Sequence, residues 1–363
     1  MGVLLPWEES GEISVFPDDV AGLWPTSRCP SDNVMKRLCQ NIGVALMSLL
    51  LCLLLAEVSV RVICRLVPSY DFEMWRYAAE MKQPLPGKKL PFHHRANRTG
   101  TYYGAEIRTN SIGMRDMERA SIKPAGCKRV VFLGDSYTLG WGVPFEATFS
   151  RQLEQKFTKD KAGAKVINFG VGNYNSSMEV ELFKQKGLAL NPDLVVLMYY
   201  INDVEPTPKL GTVSYWLQKH FYLLGYMRTK LQQLAMMGEE GDWLNAYYRR
   251  IYAAGAPGLQ RNRQSLQELV ALCKSRNIRL LVVNIPDLRR LENYPFGFAT
   301  DFIRGIAAEG GVPFLDLLPV FGKFPGKSLW VSGEDSHMNS LANGLASEAI
   351  FDSIRANSLL DER

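Results

Sequence analysis

The 363-residue chain is poor in cysteine and histidine, holding six of the first and four of the second. The cysteines stand at positions 29, 39, 52, 64, 127 and 273, and no two form a C-x-x-C pair. That spacing resembles neither a zinc site nor the bridge framework of a small secreted domain. A bridge between Cys127 and Cys273 is conceivable in an oxidising compartment, but unpaired thiols are the favoured reading. Dense basic runs are missing too. The 42 basic and 37 acidic residues leave a formal charge of only +5. With no basic stripe and no binding motif, nucleic acid is not an expected partner.

One long apolar run is present, from Ile42 to Val60, broken only by Ser48, Glu57 and Ser59. At 1.5 Å per residue it reaches roughly 28 Å, about the thickness of a bilayer's hydrocarbon core. It is longer than the apolar core of a leader peptide and starts after 41 residues. A spanning helix is therefore expected, ahead of a cleaved leader or a buried core helix. Glu57 lies near one end, where a carboxylate can reach the interface. Arg28, Lys36 and Arg37 before the run balance Arg61, Arg65 and Arg76 after it, so charge leaves the orientation open. The expected division is a polar tail over 1–40, the transmembrane helix and flank over 41–66, a juxtamembrane connector with a short hairpin over 67–128 and one α/β domain over 129–356. His93 and His94 fall in the Pro- and Gly-rich connector, where adjacent histidines are expected to be solvated rather than metal ligands.

From residue 129 short β-branched runs alternate with helical periodicity. Strands are expected at 129–133, 165–169, 193–200, 278–285 and 312–317, and helices at 145–157 and 265–276. Each strand is apolar almost throughout, as in parallel strands covered on both faces. Strand, helix, strand in alternation gives βαβ units and a three-layer α/β sandwich on a five-stranded parallel sheet. Ligands of such folds bind beyond the carboxyl ends of the strands.

Those ends carry GDSYTLGWG, GVGNYNSS and INDV. Ser136 follows the first strand, where helix N-terminal amides can face a developing anion; alone, such a serine is most often an N-cap. A phosphate loop would need a lysine and glycine spacing absent here, and Thr138 excludes the G-x-S-x-G elbow. Asn173 and Asn202 follow the second and third strands. Each can donate to an oxyanion or simply make an Asx-turn. Near the C-terminus Glu334-Asp335-Ser336-His337 precedes a helix, setting an acid two or three residues from a histidine.

Taken in order, VVFLGDSYTLGWGV, VINFGVGNYNS, VVLMYYINDV and EDSHMNSLANGLASEAI resemble the conserved blocks of the SGNH/GDSL hydrolases. EIRTNSIGMRD (106–116) resembles the segment preceding this domain in the family's membrane-anchored bacterial members. The resemblance implies the flavodoxin-like SGNH hydrolase fold. Ser136 would be the nucleophile and an oxyanion donor through its N–H. A second N–H donor would fall on Asn173, where the family has glycine; asparagine tolerates positive φ best among the other residues. Asn202 would be the side-chain donor, although Tyr200 stands where glycine is usual. His337 would be the general base. Asp335 is favoured as the acid over Glu334, the choice of the commoner D-x-x-H spacing.

Acyl transfer to water would make the protein an esterase acting on an ester or acylated carbohydrate. Transfer to or from an envelope polysaccharide, as an O-acyltransferase or deacetylase, is the alternative, and a catalytically silent module on the same fold is a third. No metal or organic cofactor is implied. The catalytic domain is expected periplasmic or extracellular, on a single-pass anchor. An insertion over about 205–262 contains an aromatic, Leu- and Met-rich stretch (213–237), expected to pack on the domain in preference to forming a lid. His220 within it is expected to be packed or exposed, not catalytic.

Overall fold

The structure, a computed structural model, describes residues 32–67, 69–85, 89–160, 163–208, 216–217, 220–237 and 242–361. Helix α1 runs from Asp32 to Leu66 and contains the apolar run. It is long and apolar enough to cross a membrane, and its most apolar window is wholly exposed. Core helices of that composition are buried, so the exposure sets this one apart from them.

Helix α2 (Tyr70–Met81) is followed by two hairpins. Strands β1 (Lys82–Pro84) and β2 (Phe92–His94) pair antiparallel, as do β3 (Thr99–Tyr102) and β4 (Ala105–Arg108). The expected connector thus carries folded elements that share a small core with residues 139–141 of the sheet domain. Met74, Tyr77 and Met81 from α2 meet Tyr102, Ile107, Leu139 and Trp141. His94, expected to be solvated, is fully buried. Its Nδ1 faces the Gly113 carbonyl at 3.2 Å and its Nε2 pairs with the Tyr77 hydroxyl. Sequence position suggested a polar loop, but β-pairing turned this side chain inward.

The central sheet has five parallel strands: β5 (Lys128–Gly134), β6 (Ala164–Gly170), β7 (Leu194–Tyr199), β8 (Arg279–Asn284) and β9 (Phe314–Asp316). All five expected strands are there, in spatial order β6-β5-β7-β8-β9. Val131 stands opposite both Ile167 and Val195, fixing the register of β6, β5 and β7. Successive residues feed opposite faces, as the period of a strand requires. Val130, Phe132, Val196 and Met198 enter one core; Val131, Leu133, Val195 and Leu197 enter the other. That double burial is why the strands read as unbroken apolar runs.

Helices α3 (Ser136–Leu139), α4 (Phe149–Lys159) and α5 (Ser176–Leu182) follow the first two strands. Of the insertion, α6 (Tyr222–Met237) and α7 (Trp243–Ile251) are described; 209–215, 218–219 and 238–241 lie outside the described residues, and with them part of the expected 213–237 segment. At its start α6 packs Tyr222 against Phe72 and Trp75 of α2, at ring distances of 5.5 and 4.7 Å. The Glu57 carboxylate accepts from the Tyr222 and Leu223 amides at 2.9 and 2.8 Å, capping that helix. His220 is exposed beside the Trp216 ring. Helices α8 (Pro257–Ser275), α9 (Gly297–Gly310), α10 (Leu318–Phe321) and α11 (Ser340–Ala356) complete the layers. Among the described residues no cysteine is bridged, Cys127 and Cys273 included; Cys29 lies outside them.

Candidate active site

The strand order reverses direction at β5, with β6 on one side and β7 on the other. The chain segments leaving these three strands therefore diverge around one crevice, as in other open parallel sheets. A cavity of about 420 Å³ lies there, and Ser136, Asn173, Asn202, Asp335 and His337 all line it.

Ser136 opens α3 directly after β5. Asp135 is the N-cap, its Oδ1 accepting from the Tyr137 amide at 2.9 Å, and Gly140 closes the turn in the left-handed region. Because α3 is a single turn, it contributes little macrodipole; any anion stabilisation must come from individual N–H groups. Gly170 lets this turn sit tightly on β6, since a Cβ there would lie 2.1 Å from the Leu139 nitrogen. From the other side Arg115, fully buried, donates to the carbonyls of Glu106, Leu139, Gly140 and Val143. The upstream 106–116 motif is thus a clamp on the loop after the serine.

Ser136 Oγ lies 2.8 Å from His337 Nε2, and His337 Nδ1 lies 2.6 Å from Asp335 Oδ1. The same carboxylate oxygen accepts the His337 backbone amide at 3.0 Å, while Oδ2 accepts the Trp141 indole N–H at 2.9 Å. A carboxylate on Nδ1 fixes the tautomer that leaves Nε2 free to accept the serine proton. Burial pushes Asp335 up, but the hydrogen bonds from His337 and Trp141 outweigh it and hold the carboxyl below its ordinary range. The imidazole also packs on the rings of Tyr137 at 4.6 Å and Tyr70 at 5.3 Å. Glu334, the other acid considered, is exposed; its amide donates to Ser332 Oγ at 3.3 Å, and no bond joins its carboxylate to His337.

Asn173 has φ +63°, the left-handed conformation its glycine-like position requires. Asn202 Nδ2 donates to Asp135 Oδ2 at 3.1 Å, so the aspartate beside the serine aims the asparagine. One N–H of that amide is used on Asp135 and the other is left for a group in the cavity. Burial raises Asp135, and the Tyr137 amide and Asn202 only partly offset it.

Several site residues were not foreseen. Asp135 and Trp141 lie within the quoted GDSYTLGWG run, but spacing says nothing of which side chain reaches Asp335. Tyr70 and Arg115 come from upstream of the sheet domain. Arg289, on the cavity wall, is held by the buried Asp287 carboxylate through Nε at 2.9 Å.

Residues 132–344, more than half the chain, match the GDSL-like lipase/acylhydrolase family. The chain belongs to this family. It is a GDSL-type hydrolase acting on ester bonds. No curated protein matches it. Among solved structures this GDSL hydrolase is similar to an alpha/beta hydrolase enzyme from the metagenome of Lake Arreo, Spain. They share 15% identity and a TM-score of 0.43 over 67% of this chain and 99% of the other. It is also similar to an acetyl xylan esterase, at 16% identity and TM-score 0.41, covering 62% and 99%. A catalytic mutant of an acetylxylan esterase from Geobacillus stearothermophilus matches at 15% identity and TM-score 0.42, covering 64% and 96%.

Proposed function

We propose that this GDSL hydrolase cleaves acyl esters of carbohydrates through a Ser136–His337–Asp335 triad. The observation that carries the reading is the unbroken hydrogen-bonded chain from Ser136 Oγ through the imidazole to Asp335, opening on the cavity. Ser136 Oγ attacks the ester carbonyl carbon as His337 Nε2 takes its proton. The N–H groups of Ser136 and Asn173 and the Asn202 amide hold the oxyanion. When the tetrahedral species collapses, the alcohol leaves with the proton returned by His337. Water, activated by the same imidazole, then releases the acid and frees Ser136.

The carbohydrate assignment rests on the cavity wall. Tyr70, Tyr137, Tyr200, Tyr248 and Trp330 line it with aromatic rings that carry polar atoms, and Arg289 and Glu205 add further polar groups. Such a lining suits a sugar bearing a short acyl group. A long alkyl chain would require continuous apolar walls. Tyr200, where the family usually has glycine, is one of these rings, packed 4.4 Å from Tyr137. We further propose that α1 anchors the protein in the membrane as a single pass, with the sheet domain outside the cytoplasm.

Purified protein is expected to release p-nitrophenol from p-nitrophenyl acetate far faster than from long-chain esters. Ser136→Ala and His337→Ala should lower turnover by about 10⁴-fold or more. Asp335→Asn should cost far more than Glu334→Gln. Equal, mild losses at the two acids would remove Asp335 from the triad, and a wild-type protein no faster than Ser136→Ala would leave a silent module. Acetyl transfer to a polysaccharide faster than hydrolysis would make a sugar hydroxyl, not water, the acceptor.

A further inference from the structure

Lys82, the first residue of β1, is only 3% exposed and has no carboxylate partner among the described residues. Its ammonium lies 4.3 Å from the centroid of the Phe92 ring and 4.9 Å from that of Tyr77. It donates to two acceptors, the Gly172 carbonyl and Asn173 Oδ1, the latter at 2.9 Å. An ammonium without a counter-charge is costly to bury, and desolvation drives this one well below the ordinary lysine range. Stability alone would favour methionine at this place.

What the ammonium grips is a single peptide unit. The Gly172 carbonyl and the Asn173 N–H belong to one planar trans amide, so they point in opposite directions. Holding the oxygen on the Lys82 side turns the N–H the other way, towards the cavity that Asn173 lines. Rotation of that peptide would carry Asn173 from φ +63° towards negative φ, which a residue with a Cβ prefers. It would also withdraw the donor. The other side of Gly172 is held as well: its N–H donates to Tyr77 Oη at 3.0 Å, and Tyr77 pairs in turn with His94. Gly172 has no room for a side chain, since a Cβ would lie 2.8 Å from the Tyr77 ring. Burial, followed by the nearby Lys82, lowers His94 to about 3, so it stays neutral. A hydrogen bond donated to the carbonyl also polarises the amide, making its N–H a stronger donor to an anion.

We propose that Lys82 is a positioning residue for catalysis, locking and polarising the Gly172–Asn173 peptide so that the Asn173 N–H faces the oxyanion. The inference rests on the serine-hydrolase reading above. It gives the segment before the sheet domain a part in the chemistry, and it explains how asparagine serves where the family has glycine.

The test uses the full chain in detergent with p-nitrophenyl acetate, comparing wild type, Lys82→Met, Lys82→Gln and Ser136→Ala. Lys82→Met is expected to lower kcat by about 10- to 100-fold and leave KM within about threefold, because the contact acts on the transition state. Its thermal midpoint should equal or exceed that of wild type. Opposite signs for turnover and stability are the signature, since a purely structural lysine would lower both together. If the methionine variant does not fold, Lys82→Gln is read in the same way. Unchanged kcat, a rise in KM alone, or parallel loss of kcat and thermal midpoint would each overturn the proposal. An inactive Ser136→Ala beside a fully active Lys82→Met sinks the lysine alone, whereas an active Ser136→Ala sinks the serine reading beneath it.

Discussion

At the scale of single residues, the cavity beside Ser136 carries a carboxyl group that titrates near neutrality. Burial pushes Glu205 from its usual 4.5 up to about 7, against the opposing hydrogen bond from Tyr248. A raised folded pKa means that the folded protein holds the proton more tightly than the unfolded chain. The associated stability is full below pH 4.5 and is lost as pH rises through about 7. Glu205→Gln mimics the protonated group. It should therefore match wild type at pH 4 and be more stable at pH 8, by on the order of 1–3 kcal/mol. Thermal midpoints measured across that range check this, and a pH-independent difference would count against it. Neither Glu205 nor Arg289 was visible as a cavity residue from the sequence, because each lies on a loop whose path depends on distant contacts. Ser136, Asn173, Asn202 and His337 were visible, since each follows or precedes a strongly patterned element and topology brings those ends together.

At the scale of elements, the seat of Ser136 depends on how closely α3 lies on β6. Gly170→Ala puts its Cβ 2.1 Å from the Leu139 nitrogen and 2.5 Å from the Thr138 carbonyl carbon, both backbone atoms that cannot rotate away. The turn must lift, with an expected loss of about 2–3 kcal/mol in urea unfolding and a fall in turnover as Ser136 shifts from His337. A variant as stable and active as wild type would show that the turn gives way easily. The strands themselves were legible because both their faces are buried. Of the hairpins in residues 82–108 only one short one was expected, and neither its place nor the second could be read: three- and four-residue strands carry too little periodicity to stand out from a polar, Pro-rich stretch.

At the scale of the whole molecule, the segment between α1 and β5 packs on the candidate site. It supplies Tyr70 beside the imidazole, Lys82 under the Asn173 loop and Arg115 on the carbonyls after Ser136. A chain beginning at residue 68 should fold, stay active and remain in the soluble fraction, while the full chain stays with membranes through a carbonate wash. A chain beginning at residue 129 should be inactive and largely insoluble, because removing the segment uncovers Leu139 and Trp141. Equal solubility and activity from the two shortened chains would reduce the segment to a tether.

The sequence by itself determined the apolar helix, the parallel α/β sheet and the strand ends at which polar residues gather. These depend on local periodicity, which burial on one or two faces imposes directly on the order of residues. Only the tertiary structure decided that Asp335 and not Glu334 meets the imidazole. Both acids lie within three residues of His337, and the choice depends on a turn whose geometry Trp141 helps to hold. It also decided the setting of Ser136 among Tyr70, Lys82 and Arg115. Their contacts span many residues of chain, and no local pattern records a meeting between side chains so far apart in sequence.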